Sequence, residues 1–152
     1  MKTTNELLNI LKNTEPSEIE NCLQNNRNSF VGEHAFTDYV RSLLKKKELT
    51  QQDVFRAAEI PERYGYRIVS GERITRQRDI VLRLCIAGHF TLKETQQALE
   101  LYGMPVLYAR SERDAVMIIA VNKRVYDVHR VDEMLREHGM DVLRPCGNDV
   151  ED

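Results

Sequence analysis

Four helix starts are written into this chain. Thr3/Glu6, Thr50/Asp53, Thr91/Glu94 and Ser111/Asp114 share the Ser/Thr-x-x-Asp/Glu spacing, in which hydroxyl and carboxylate each satisfy a backbone N–H that the first helical turn leaves orphaned. No stretch alternates polar and apolar residues with period two for more than a few positions, so strands have no comparable support. The expected class is all-α, with helices near 4–13, 16–27, 35–47, 50–58, 61–70, 76–88, 91–102, 111–122 and 126–138. At 152 residues, 41% hydrophobic and 30% charged, the chain has the size and composition of one compact domain or of a small domain with an appendage.

The longest apolar run, Ala115 to Val121, is far short of the roughly 18 residues a membrane span needs. Cys22, Cys85 and Cys146 are widely separated and lack CxxC or Cys/His spacing, which supports neither a disulfide framework nor a zinc site. Reduced thiols, a cytoplasmic location and no membrane association are the expectation. Net charge is −2, but unevenly spread: Lys+Arg against Asp+Glu is 3 to 5 over residues 1–34, 11 to 7 over 35–90 and 8 to 12 over 91–152. A basic middle suits a polyanion-binding surface, although a solvated helical domain also carries such a bias.

Phe36, Tyr39, Val40, Leu43 and Leu44 form one apolar stripe on the 35–47 helix, with Lys45, Lys46 and Lys47 at the favourable end of its dipole. The first two helices are weaker, because Asn21, Asn25, Asn26 and Asn28 are poor helix formers; residues 1–33 read as a loosely packed arm. In the second half a repeat emerges. Arg78-Asp79-x-Val81 recurs as Arg113-Asp114-x-Val116 at an offset of 35, and Gly103-Met104-x-Val106-Leu107 recurs as Gly139-Met140-x-Val142-Leu143 at 36. The change of offset implies one extra residue between Lys123 and Tyr126. Two copies of a helix hairpin, 76–107 and 111–143, each closed by a glycine C-cap, account for it. The run from Ala115 to Val121 is apolar all round, so its helix is expected to be buried, against the five-helix unit or a second chain.

The segment Leu49 to Arg76 is the most informative. Thr50 caps a short helix, Glu59-Ile60-Pro61 makes a tight turn, a second short helix carries Ile68, and Ser70-Gly71-Glu72-Arg73 ends it. Helix, turn, helix and stop is the order of a helix-turn-helix unit, whose second helix enters the DNA major groove. Leu49-Thr50-Gln51, Ile60 and Ile68-Val69-Ser70-Gly71-Glu72-Arg73 resemble the lambda-repressor-like, XRE-type helix-turn-helix family over about 35–102. Three positions depart from that family's pattern: Phe55 stands where a small residue is usual, Glu59 where the turn has Gly, and Gly65 where the recognition helix has a β-branched residue. Phe55 against Gly65 exchanges which helix supplies the bulk at their crossing, conserving volume.

The resemblance implies a five-helix domain over 34–103, preceded by the 1–33 arm and followed by a helical hairpin at 104–145 and a tail at 146–152. It implies base contacts from Glu62, Arg63, Tyr66 and Arg67, phosphate contacts from Gln51, Gln52, Arg73 and Arg76, and packing within the motif by Phe55, Ile60, Gly65 and Ile68. Arginines such as Arg63 and Arg67 grip guanine O6 and N7 bidentately, and Glu62 is able to accept from cytosine N4. Tyr64 is expected in the core. The implied partners are double-stranded DNA and a second copy in a homodimer, with a further protein partner for residues 91–143. No GxSxG, P-loop, HExxH or dinucleotide fingerprint occurs, and His34, His89, His129 and His138 lack ligand spacing; neither catalysis, a metal nor a cofactor is expected. The reading is a sequence-specific transcription regulator. The alternative is a non-catalytic interaction adaptor whose degenerate motif has stopped reading DNA.

Overall fold

A computed structural model describes residues 2–30, 32 and 34–146. Among them all regular structure is helical, as the absence of period-two patterning requires. Except for Cys146, the tail expected over 146–152 lies outside the described residues. The chain divides into two compact units, 1–33 and 34–152.

The first unit contains α1 (Thr4–Lys12) and α2 (Ile19–Asn25). Thr3 and Glu6 form the reciprocal capping box that starts α1. The single helix expected over 16–27 is instead broken into a 3-10 turn at Pro16–Glu18, seven residues of α2 and a second 3-10 turn at Arg27–Ser29. Asn26 ends α2, its side-chain amide donating to the Cys22 carbonyl at 2.8 Å. That bond is the local competition that makes Asn a poor helix former.

The second unit is built from α3 (Ala35–Lys46), α4 (Gln51–Ala58), α5 (Glu62–Ser70), α6 (Arg78–Ala87), α7 (Leu92–Tyr102), α8 (Glu112–Asn122) and α9 (Val128–Glu137). Thr50, Thr91 and Ser111 accept from the N–H groups of Asp53, Glu94 and Asp114. Only Thr91 has the reciprocal carboxylate bond; the Asp114 carboxylate is used elsewhere. Helix α6 is the centre. It packs on α4, α7 and α9, and every residue from Ile80 to Ala87 is buried.

The helix buried all round is α6, whereas α8, with its apolar run, leaves Ile119 57% exposed. Helix α8 packs mainly on α7 and α9 and leaves a face exposed at Ile119, while α6 is enclosed by three neighbours. The cost of enclosing α6 falls on Arg83, 3% exposed. Its guanidinium donates to the carbonyls of Ala58 at 3.1 Å, Leu143 at 3.0 Å and Arg144 at 2.9 Å. Those bonds satisfy the buried charge with the dipole end of α4 and join the motif to the segment after α9.

The repeat is visible in three dimensions. Gly103, the C-cap of α7, and Gly139, one residue past the C-cap of α9, both take positive φ, 82° and 71°, and Met104 and Met140 return to the Leu99 and Leu135 carbonyls, both at 2.9 Å. His89 and Arg124 take matching left-handed conformations at an offset of 35, with φ of 60° and 61°. The next helices start from Thr91 and Asp127, at an offset of 36. The extra residue is therefore Tyr126, whose ring stacks on His89 with centroids 4.6 Å apart.

Candidate nucleic-acid interface

Ile60 closes the turn between α4 and α5, its N–H bonding to the Phe55 carbonyl at 2.9 Å. Glu59 takes the left-handed conformation that a glycine would adopt more cheaply, with φ of 56°. Its carboxylate meets Nε2 of His129, on α9, at 2.9 Å. Thr37 of α3 donates to the Val69 carbonyl at 2.6 Å, and Gly71, at φ 84°, ends α5. The second helix is thus fixed at its entry and its exit.

The crossing of α4 and α5 is the exchange of bulk that the sequence implies. Phe55 is 1% exposed. A Cβ placed on Gly65 would lie 2.6 Å from its ring, so the ring occupies the space a side chain would take. Ile60 and Ile68 are buried beside this pair. Tyr66 meets the other side of Phe55 edge to face, centroids 5.0 Å apart, which orients a phenol that is still 40% exposed. Tyr64 is buried, as expected for a core residue.

Away from this packing, α5 presents Glu62, Arg63, Tyr66 and Arg67 to an open groove, together with Ser70 and Glu72 and with Arg41 from α3. Two acidic partners moderate the charge: Arg67 Nε lies 3.6 Å from Glu72, and Gln52 Nε2 donates to Glu62 at 3.4 Å. Such exposed pairs contribute little to stability and give way readily to a better ligand. Gln52 thereby reaches the groove edge from the first turn of α4. Gln51 does not line the groove; it is half-buried, and its Oε1 lacks a hydrogen-bond partner. The Arg73 guanidinium stacks 5.6 Å from the Tyr64 ring centroid. Arg76 is exposed in the segment before α6 and also stands outside the groove lining.

Arg41 was not singled out from the sequence. The apolar residues of α3 fix its buried face, and Arg41 falls on the exposed flank of that face, about 100° from its centre. Of the lysines ending α3, Lys45 and Lys46 are exposed, whereas Lys47 is engaged by Glu94 at 2.9 Å. No group of three or more His, Cys, Asp or Glu residues among those described is arranged to hold a metal ion. Cys85 is buried, and desolvation pushes its thiol up, so it carries no nucleophilic thiolate at neutral pH.

No helix among the described residues is long and apolar enough to cross a membrane. Compared with known proteins, the chain matches no family model, no curated protein and no solved structure.

Proposed function

We propose that this chain is a sequence-specific double-stranded DNA-binding regulator of the lambda-repressor-like kind, with α3 to α7 as its five-helix domain and α5 as the recognition helix. The observation that carries the reading is the outward face of α5. Arg63, Tyr66 and Arg67 face one groove together with Arg41, on a helix held against α4 by Phe55 over Gly65. One helical turn separates Arg63 from Arg67, matching the reach of two guanidinium groups to neighbouring base pairs. Glu62 selects cytosine N4 and rejects bare phosphate. Gln52 and Arg73 contact the backbone, and a homodimer reads a two-fold operator. Catalysis has no part in this mechanism.

A second reading has one specific observation in its favour. Val106, Tyr108 and Ile119 are exposed apolar residues within 91–143, the stretch that an adaptor would offer to a protein partner. Fluorescence anisotropy with a labelled duplex of mixed sequence separates the two. About four to six phosphate contacts per protomer, roughly eight to twelve for the homodimer, give a log–log salt slope near −7 to −11. Absence of salt-sensitive binding to any duplex would favour the adaptor.

A further inference from the structure

Among its described residues, the arm formed by residues 1–33 has apolar side chains but no apolar core. None of its described aliphatic residues is buried, and Leu8, Leu11, Ile19 and Leu23 are 45%, 41%, 53% and 49% exposed. Its two helices form an antiparallel hairpin. The Lys2 N–H donates to Ser29 Oγ at 3.2 Å at the open end, and the Thr14 hydroxyl meets Cys22 Sγ at 3.5 Å near the bend.

The residues turned inward are Leu7 and Ile10 of α1, Thr14 just after it, Cys22 of α2 and Asn26 at its end, all half-buried or buried. At about 100° per residue, Leu8/Leu11 and Ile19/Leu23 are each rotated roughly 60 to 100° from those inward positions, in the same sense. Because the helices run antiparallel, equal rotations bring both pairs to one side of the hairpin. The result is a single aliphatic face.

We infer that this face is covered by the same face of a second copy, giving a two-fold, four-helix layer through which the chain dimerises. Area is the argument for this occupant. With about 180 Å² for a fully exposed Leu or Ile, the four side chains offer roughly 340 Å² of apolar surface. At the roughly 60% apolar share of a typical interface, that corresponds to about 570 Å² per protomer and about 1,100 Å² in total, enough for a weak, reversible dimer. All four side chains are uncharged aliphatics, so superposing the patch on itself opposes no like charges, and each arm supplies the second layer that the other lacks. The inference assigns a surface to the homodimer proposed above, yet its test needs no DNA. Its failure therefore leaves the α5 reading standing, and the reverse also holds.

Sedimentation equilibrium of the full chain should show a reversible rise from 17.7 kDa towards twice that mass. The mild surface variants Leu8→Asn and Ile19→Asn should each raise the dissociation constant about tenfold, with far-UV circular dichroism unchanged. Leu8→Glu combined with Leu11→Glu should leave a monomer. A mass of one chain at all concentrations, or a dimer indifferent to both single variants, would overturn the inference, as would a stable complex with a different protein that excludes the second copy.

Discussion

Arg78 on α6 and Asp114 on α8 are joined by two hydrogen bonds, and the same pair of residue types meets again, with the helices exchanged, where Arg113 bonds Asp79 at 3.0 and 3.1 Å. The correspondence extends to the backbone. Arg78 also donates to the carbonyls of Pro105 and Val106, and Arg113 to those of Asp141 and Val142. Asp114 accepts from the Tyr108 N–H and Asp79 from the Arg144 N–H, both at 2.9 Å. The two hairpins are thus clasped about a pseudo-two-fold axis, each carboxylate holding the tail of the other hairpin's arginine. Asp114 is 4% exposed. Asp114→Ala leaves Arg78 without its carboxylate and the Tyr108 N–H without an acceptor, so it should cost ~2–4 kcal/mol in urea unfolding; a loss below ~0.5 kcal/mol would mean the clasp is ornamental.

Acid should open this clasp at Asp79. Burial pushes its carboxyl up, but hydrogen bonds from Arg113 and from the Arg144 N–H, with the charges of Arg113 and Arg78, hold it below the ordinary 3.8. The folded state therefore keeps Asp79 ionised where the unfolded state already takes up a proton. Its contribution is complete above pH 5 and is lost progressively as pH falls through 3.8 to the depressed folded value. Chemical denaturation between pH 6 and 2 should show a shallower acid limb for Asp79→Asn than for the wild type. Parallel limbs would contradict the assignment.

Phe55 and Gly65 should behave as one unit. Gly65→Ala ought to destabilise by ~1–3 kcal/mol, although Ala is the better helix former by ~1 kcal/mol. Phe55→Ala empties the space and should cost ~3–5 kcal/mol. Combining Phe55→Ala with Gly65→Val restores the bulk from the other helix, and the double variant should be more stable than additivity allows by at least ~1 kcal/mol. Strict additivity in the unfolding data would mean that the two residues are not packed as a pair.

The starts of α1, α4, α7 and α8 were legible because they are local events: a threonine or serine hydroxyl and an N–H three residues on decide them within one turn. The repeat was legible for a similar reason, since glycine caps and Arg-Asp pairs leave a periodic trace. Its exchange of partners was not, because pairing Arg78 with Asp114 instead of Asp79 depends on how two hairpins dock. The burial of α6 was hidden for the same reason. Arg83 makes that helix look amphipathic, and only the carbonyls of Ala58, Leu143 and Arg144, distant in sequence, make its burial tolerable. In the groove, Glu62, Arg63, Tyr66 and Arg67 were named through the family resemblance of one helix, whereas Arg41, from α3, and Glu72, past the end of α5, join them through tertiary packing.

The base-reading role of α5 is tested most directly by selecting bound duplexes from a random pool at near-physiological salt, with wild type, Arg67→Ala and Arg73→Ala in parallel. The wild type should enrich a G·C-containing two-fold motif. Arg67→Ala should lose preference at one base pair per half-site, at a cost of about 1–3 kcal/mol, while Arg73→Ala should keep the motif and bind every duplex more weakly. An unenriched pool for the wild type, or equal losses on all sequences for both variants, would contradict it.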